Sequence, residues 1–189
     1  MLFVFLRRGT VITLARNVIK TLVLLALILV LIGLIAKQHY RVERSITLDV
    51  PSAAIKPWLW DLTQWQQWLA LRQFDQQARL EVRAQTQGVG AHLGWQGQRS
   101  RGELSIVSDS ASTLNYQLLV NNEYLSHGQF QLISSGEQTR ILWQQQGEIT
   151  LPVIGPYLVW FTEHTLANTM THSLNNLKTV VELEHKDEQ

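Results

Sequence analysis

Apolar residues follow three different rhythms along this chain. The first is unbroken: Thr21 to Ala36 reads TLVLLALILVLIGLIA, without a charge. At about 1.5 Å per residue it spans roughly 24 Å, a little less than a bilayer core of about 30 Å. Starting at Asn17 adds a turn, and Lys20 can extend to the headgroups. The run predicts a membrane-spanning helix through residues 17–36. A cleaved signal peptide is the alternative, but Leu34-Ile35-Ala36 lacks the small-x-small cleavage pattern, so a retained anchor is expected. Met1 to Leu14, apolar around Arg7 and Arg8, either lies flat at the interface or is an irregular leader.

The second rhythm is alternation. Ser45 to Val50 places Ile46, Leu48 and Val50 on one side and predicts a first strand. Six more strands are expected at 79–86, 91–97, 102–108, 113–121, 126–134 and 139–148. The turn signals between them are Gln87-Gly88, Gln98 to Gly102, Ser108 to Ser112, Asn121-Asn122 and Ser134 to Gln138. Leu114, Tyr116, Leu118 and Val120 share a face, as do Phe130 and Leu132, and Ile141 and Trp143. Their alternate neighbours are polar, which describes an antiparallel sheet buried on one side and wet on the other.

The third rhythm has steps of three and four, the spacing of one helix face. Trp160, His164, Ala167, Met170, Leu174, Leu177 and Val181 set a stripe on a last helix over 156–183, after Pro152, Gly155 and Pro156. Two short helices are expected earlier, Ala53 to Leu62 with Pro57 inside it, and one capped by Thr63 and running to about Leu69. The divisions that follow are a leader and anchor over 1–37, a tether over 38–44, a domain over 45–185 and a charged tail over 186–189.

Charge sharpens the membrane reading. Before Ser45 there are seven basic residues and one acid, Glu43; from Ser45 on there are nine basic and fourteen acidic residues. The domain is mildly acidic, a poor match to phosphate backbones, so no nucleic acid is expected. Four basic residues precede the apolar run and three follow closely. That bias predicts a single-pass protein with a cytoplasmic N-terminus and its domain outside the cytoplasm. The chain has no cysteine, which removes disulfide and thiolate chemistry.

The order strand, two short helices, six-strand meander and long terminal helix resembles the helix-grip fold of the START-like superfamily, also called SRPBCC or polyketide cyclase-like proteins. RVERSITLDVPSAAIKPWLWDLTQWQQW (Arg41 to Trp68) is similar to that family's opening pattern, with Asp61, Trp65 and Trp68 at its D-x-x-x-W-x-x-W positions. Gln66 stands where the family often has proline. GVGAHLGWQG resembles its glycine-bearing hairpin, and SHGQFQLISSGEQTRILWQQQGEI resembles a later pair of its strands. The resemblance covers Arg41 to about Leu183 and implies an α+β fold, a curved antiparallel sheet around a long C-terminal helix. It also implies a cavity for a hydrophobic small molecule or lipid. An N-terminal anchor before such a domain is similar to a group of bacterial members, which implies a bacterial inner membrane with the domain in the periplasm.

Candidate chemistry is sparse. Gly88-Val89-Gly90 with Gly94 would suit a dinucleotide only if a helix followed; Leu93 to Gly97 is strand-like, so a hairpin needing positive φ is expected. None of the six histidines has metal-ligand spacing, so neither metal nor cofactor is expected. There is no nucleophile motif. Asp61 suits helix-end contacts better than general-base work. Of the seven tryptophans most are expected in the core, although Trp65 and Trp68 could meet lipid headgroups instead. The expected lining of a cavity, from strand parity and helix stripe, is Tyr116, Leu118, Phe130, Trp143, Trp160 and His164. Three functions follow: a membrane-anchored binding module, an interaction protein with a filled cavity, or a cyclase- or hydrolase-like enzyme using His164.

Overall fold

A computed structural model describes residues 2–73, 77–98 and 101–187. Its first element is α1, Leu2–Ile35, a helix of 34 residues that takes in the leader as well as the apolar run. Within it Thr13–Ile35 is long and apolar enough to cross a membrane, about 35 Å at 1.5 Å per residue, and is almost wholly exposed. Then come β1 (His39–Leu48), α2 (Ser52–Trp60), α3 (Trp65–Trp68) and a 3₁₀ turn at Ala70–Gln73. The meander follows as β2 (Arg79–Val82), β3 (His92–Gln96), β4 (Arg101–Asp109), β5 (Thr113–Val120), β6 (Tyr124–Ser135) and β7 (Gln138–Glu148). The chain ends on α4 (Gly155–Asp187).

All seven strands form one antiparallel sheet in the order β1-β7-β6-β5-β4-β3-β2. The first strand closes on the last, so the terminal helix following β7 is returned across β1. β1 starts at His39, six residues before its expected start, because Tyr40 to Arg44 pair with Gly147 to Trp143. Most of the expected tether is therefore strand, and only Ala36 to Gln38 separate α1 from the sheet. β2 is shorter than expected and stops at Val82. The expected turn at Gln98 to Gly102 falls partly on residues 99 and 100, outside the described residues, as do the last two residues of the expected tail.

Turn chemistry follows the residues present. Gly88 and Gly90 have φ of 75° and 91°, as a hairpin requires, and β3 rather than a helix follows them. Asn121 and Asn122, at φ 54° and 58°, close the β5–β6 hairpin in the left-handed conformation that asparagine tolerates. Thr63 is not the cap of α3; Gln64 holds that position without a side-chain bond. Thr63 instead donates from its N–H and hydroxyl to Asp61 Oδ1, at 2.9 and 2.7 Å, while Gln87 Nε2 donates to Asp61 Oδ2 at 2.9 Å.

Burial pushes the Asp61 carboxyl up, but these donors outweigh it and hold the group below the usual carboxylate range. A depressed folded pKa gives stability that is present above the unfolded value of about 3.9 and lost as pH falls through the folded one. Asp61→Asn should therefore flatten the acid limb of a melting-midpoint-against-pH curve. An unchanged limb would mean that other carboxylates set it.

The core lies between the concave face of the sheet, the α2–α3 segment and the C-terminal two-thirds of α4. Trp58, Trp60, Trp65, Trp68 and Trp143 are all buried, which places Trp65 and Trp68 in the interior and away from lipid headgroups. Indole N–H groups pin the α2–α3 corner: Trp65 donates to the Leu59 carbonyl, Trp68 to the Trp58 carbonyl and Trp58 to Glu184 Oε2 on α4. Ser173 and Asn176 of α4 bond the backbone at Ala70 and Trp68.

Candidate functional site

The strand register stacks the concave face in rows. The first row, toward the α1 end of the sheet, is Leu104, Leu118, Ser126, Gly147 and Tyr40. The next is Ile106, Tyr116, Gly128, Gln145 and Val42, and a third holds Leu114, Phe130, Trp143 and Arg44. Small residues in the first two rows have a direct use. Gly128 lies under the Tyr116 ring, where a Cβ would come within 2.0 Å of it, and Gly147 lies under the Tyr40 hydroxyl, where a Cβ would stand 2.5 Å away. Only glycine lets an aromatic ring lie flat on the neighbouring strand at these positions.

Beyond those rows the interior is filled. Trp65, Trp68, Tyr116, Phe130 and Trp143 pack as one cluster, with ring centroids 4.8 to 6.1 Å apart and mostly edge-to-face. A buried polar chain leads from that cluster toward the first row. Trp143 Nε1–H donates to Tyr116 Oη at 2.7 Å, and Tyr116 donates to Gln145 Oε1 at 2.6 Å. Gln145 Nε2 donates to Ser126 Oγ at 2.8 Å, and Ser126 reaches the Leu118 carbonyl. Burial pushes the Tyr116 hydroxyl well above its ordinary pKa, against the pull of the Trp143 bond, so it stays a neutral donor. The Tyr40 hydroxyl, bonded to Ser126, is also raised by burial. Every member has a partner, which makes the chain a device for orientation and leaves no activated nucleophile in it.

Open space lies at both ends of the sheet: one cleft of about 700 Å³ beside β2 and β3, lined by Arg79, Glu81 and Gln96 among others, and one at the α1 end. The cleft at the α1 end, of about 820 Å³, takes in Tyr40, Gly147, Lys37 and Glu163, and also Arg41, Leu125, His127, Gln146 and Glu148, which the register places on the outer face of the sheet. Glu163 comes from α4, Lys37 from the three-residue link between α1 and β1. The lining is mostly polar and carries both signs of charge, with Tyr40 and Leu125 as its large apolar members.

By sequence, no family model and no curated protein matches the chain. Solved structures do match by shape. A protein of Thermus thermophilus superposes with a TM-score of 0.60 at 18% identity, over 76% of this chain and 98% of its own. A START superfamily protein from Mycobacterium smegmatis gives 0.56 at 15%, over 76% and 98%. Ara h 8.0201 gives 0.56 at 13%, over 76% and 97%. The chain has the START-like, helix-grip fold.

Within that fold the six expected lining residues separate. Tyr116, Phe130 and Trp143 are 2%, 0% and 5% exposed and touch one another in the filled cluster. Leu118 is half-buried in the first row, beside the cleft end. Trp160, 71% exposed, and His164 face outward and stack on each other at 6.3 Å, with Asn168 beside His164. Their inward placement is corrected by helix geometry. At about 100° per residue His164 lies roughly 120° round from the fully buried Met170, whereas Glu163 and Val159 lie within about 20° of it. The inward stripe of the helix-grip α4 is thus Val159, Glu163, Ala167, Met170, Leu174, Leu177 and Val181.

Four positions near the cleft are not among the expected ones: Tyr40, Ser126, Gln145 and Glu163. Gln145 shares the parity of Ile141 and Trp143, so a polar residue continuing an apolar face is the available signal. Tyr40 is hidden when its segment is read as tether. Among the described residues no cluster of His, Asp or Glu is arranged to hold a metal ion.

Proposed function

We propose that this chain is a membrane-anchored binding module for a hydrophobic small molecule or lipid carrying a polar end. The observation that supports the reading most is the open cleft at the α1 end, where Tyr40 and Gly147 of the sheet meet Lys37 and, from α4, Glu163. α1 crosses the bilayer, residues 17–36 meeting lipid and Thr21–Ala36 forming its apolar centre. The domain faces the periplasmic side of a bacterial inner membrane. The apolar part of the ligand lies along Leu118 and Tyr40 toward the outer edge of the Tyr116, Phe130 and Trp143 cluster, and its polar end meets Lys37, Glu148 and Glu163.

A photo-crosslinking experiment tests this. A phospholipid with a diazirine at its chain end, incorporated with the full chain in nanodiscs, should label peptides of β5 to β7 as well as α1. Leu118→Trp, which places a large ring in the first row, should abolish the strand adducts and keep those on α1. Adducts confined to α1 in the unaltered protein would sink the binding reading.

One observation favours a second reading. The five-ring cluster occupies the space beneath α4 that a helix-grip ligand would use, as in an interaction protein whose cavity is filled by its own side chains. On that reading the crosslinker finds only the anchor.

A further inference from the structure

The outward face of α4 changes character along its length. From Asn168 to Asn175 it is polar, with Asn168, Thr171, His172 and Asn175 exposed, and beyond them Leu183 is a single exposed apolar residue. At its start Ile154, Tyr157, Trp160 and Phe161 are 59%, 40%, 71% and 61% exposed. Four large apolar residues, three of them aromatic, thus stand within eight positions, at the one end of the helix that touches α1.

That contact is specific. Tyr157 Oη donates to the backbone carbonyl of Leu29 at 2.7 Å. Gly33 lies against Val153 so closely that a Cβ would come 2.2 Å from the Val153 carbonyl oxygen. Val153 itself has φ of 64°, with the Ile154 N–H bonded to the Pro152 carbonyl at 2.6 Å. A β-branched residue in a tight turn of that hand is strained, and here the strain places the chain against the anchor helix. Leu29 is seven residues before Ala36, about 10 Å along the helix axis. Whatever depth Leu29 has, the Tyr157 hydroxyl shares.

We propose that the start of α4, Ile154 to Phe161, is seated in the headgroup and upper acyl layer of the bilayer that α1 crosses. The inference rests on α1 being a membrane span. The occupant of the apolar face is lipid, because the face is continuous with the lipid-facing surface of α1. Tyrosine and tryptophan are also the residues that favour a membrane interface, where the ring is apolar and its polar atom stays wet. The seating gives the domain two points of attachment and turns the anchor-end cleft toward the bilayer.

The chain has no cysteine, so single-cysteine variants carry a unique label. Phe161→Cys and Trp160→Cys report on α4, Leu27→Cys on the anchor, and Ile133→Cys on an exposed sheet position. Each full-length variant, labelled with a polarity-sensitive fluorophore, is placed in phosphatidylcholine–phosphatidylglycerol nanodiscs. Its emission is quenched in turn by a nitroxide-bearing lipid and by iodide. Labels at 160, 161 and 27 should lose emission to the lipid quencher and resist iodide, with the label at 133 doing the reverse. If position 27 is lipid-quenched while 160 and 161 respond to iodide, the anchor stands and the seating of α4 is overturned. Shielding of 160 and 161 from both quenchers indicates a protein partner, such as a second copy, and also overturns it. If position 27 itself responds to iodide, the span fails and the seating with it.

Discussion

Replacing Trp68 by alanine should cost the domain about 3–5 kcal/mol, the range for truncating a buried large aromatic. Trp68 is fully buried, lies 5.1 Å from Trp65 and meets Phe130 and Trp143 edge-to-face. Its indole N–H is bonded to the Trp58 carbonyl, and its own carbonyl accepts from Asn176 on α4. The side chain therefore couples the α3 corner, the sheet and the terminal helix. Urea unfolding of the full chain in a mild detergent, followed by near-ultraviolet circular dichroism, reads the change as a lower midpoint. A loss below about 1 kcal/mol would mean that the aromatic cluster is loosely packed, with a void already beneath α4.

Gly128→Ala should be the other severe change, although it adds a single methyl group. The new Cβ would stand 2.0 Å from the Tyr116 ring, and no rotamer of the alanine can avoid it. The ring must move, at about 1–3 kcal/mol for overpacking a filled core. Moving it also breaks the Trp143–Tyr116–Gln145 hydrogen bonds, which leaves buried donors and acceptors at about 1–3 kcal/mol each. Tyr116→Leu in the same chain removes the collision, so the double variant should be more stable than the sum of the two single losses. Strict additivity in thermal melts would show that the ring does not rest on Gly128.

The fold is legible in the sequence because its signals are redundant. Seven alternating segments, glycine and asparagine turns and a long three-four stripe each point to one sheet and one helix, so the shortfall of β2 and the early start of β1 change nothing global. Legibility fails where a single signal carries the assignment. Steps of three and four from Trp160 through His164 to Ala167 look continuous on paper, but the angle accumulates, and the apolar steps chosen there rotate off the buried face. Glu163, the residue that does face inward, is passed over because a carboxylate does not look like part of a stripe. Tyr40 and Ser126 are invisible to parity arguments at the end of a sheet, where polar and apolar positions mix. That the centre is filled cannot be read from the sequence at all, since ring packing depends on which side chains meet across strands.

The most direct measurement is the mass of the intact chain released from lipid nanodiscs under native conditions. The account predicts a population carrying one tightly held apolar molecule above the 21.7 kDa chain, lost when Leu118 is changed to tryptophan. A chain that always emerges bare, or that carries the same lipids in both forms, would contradict it.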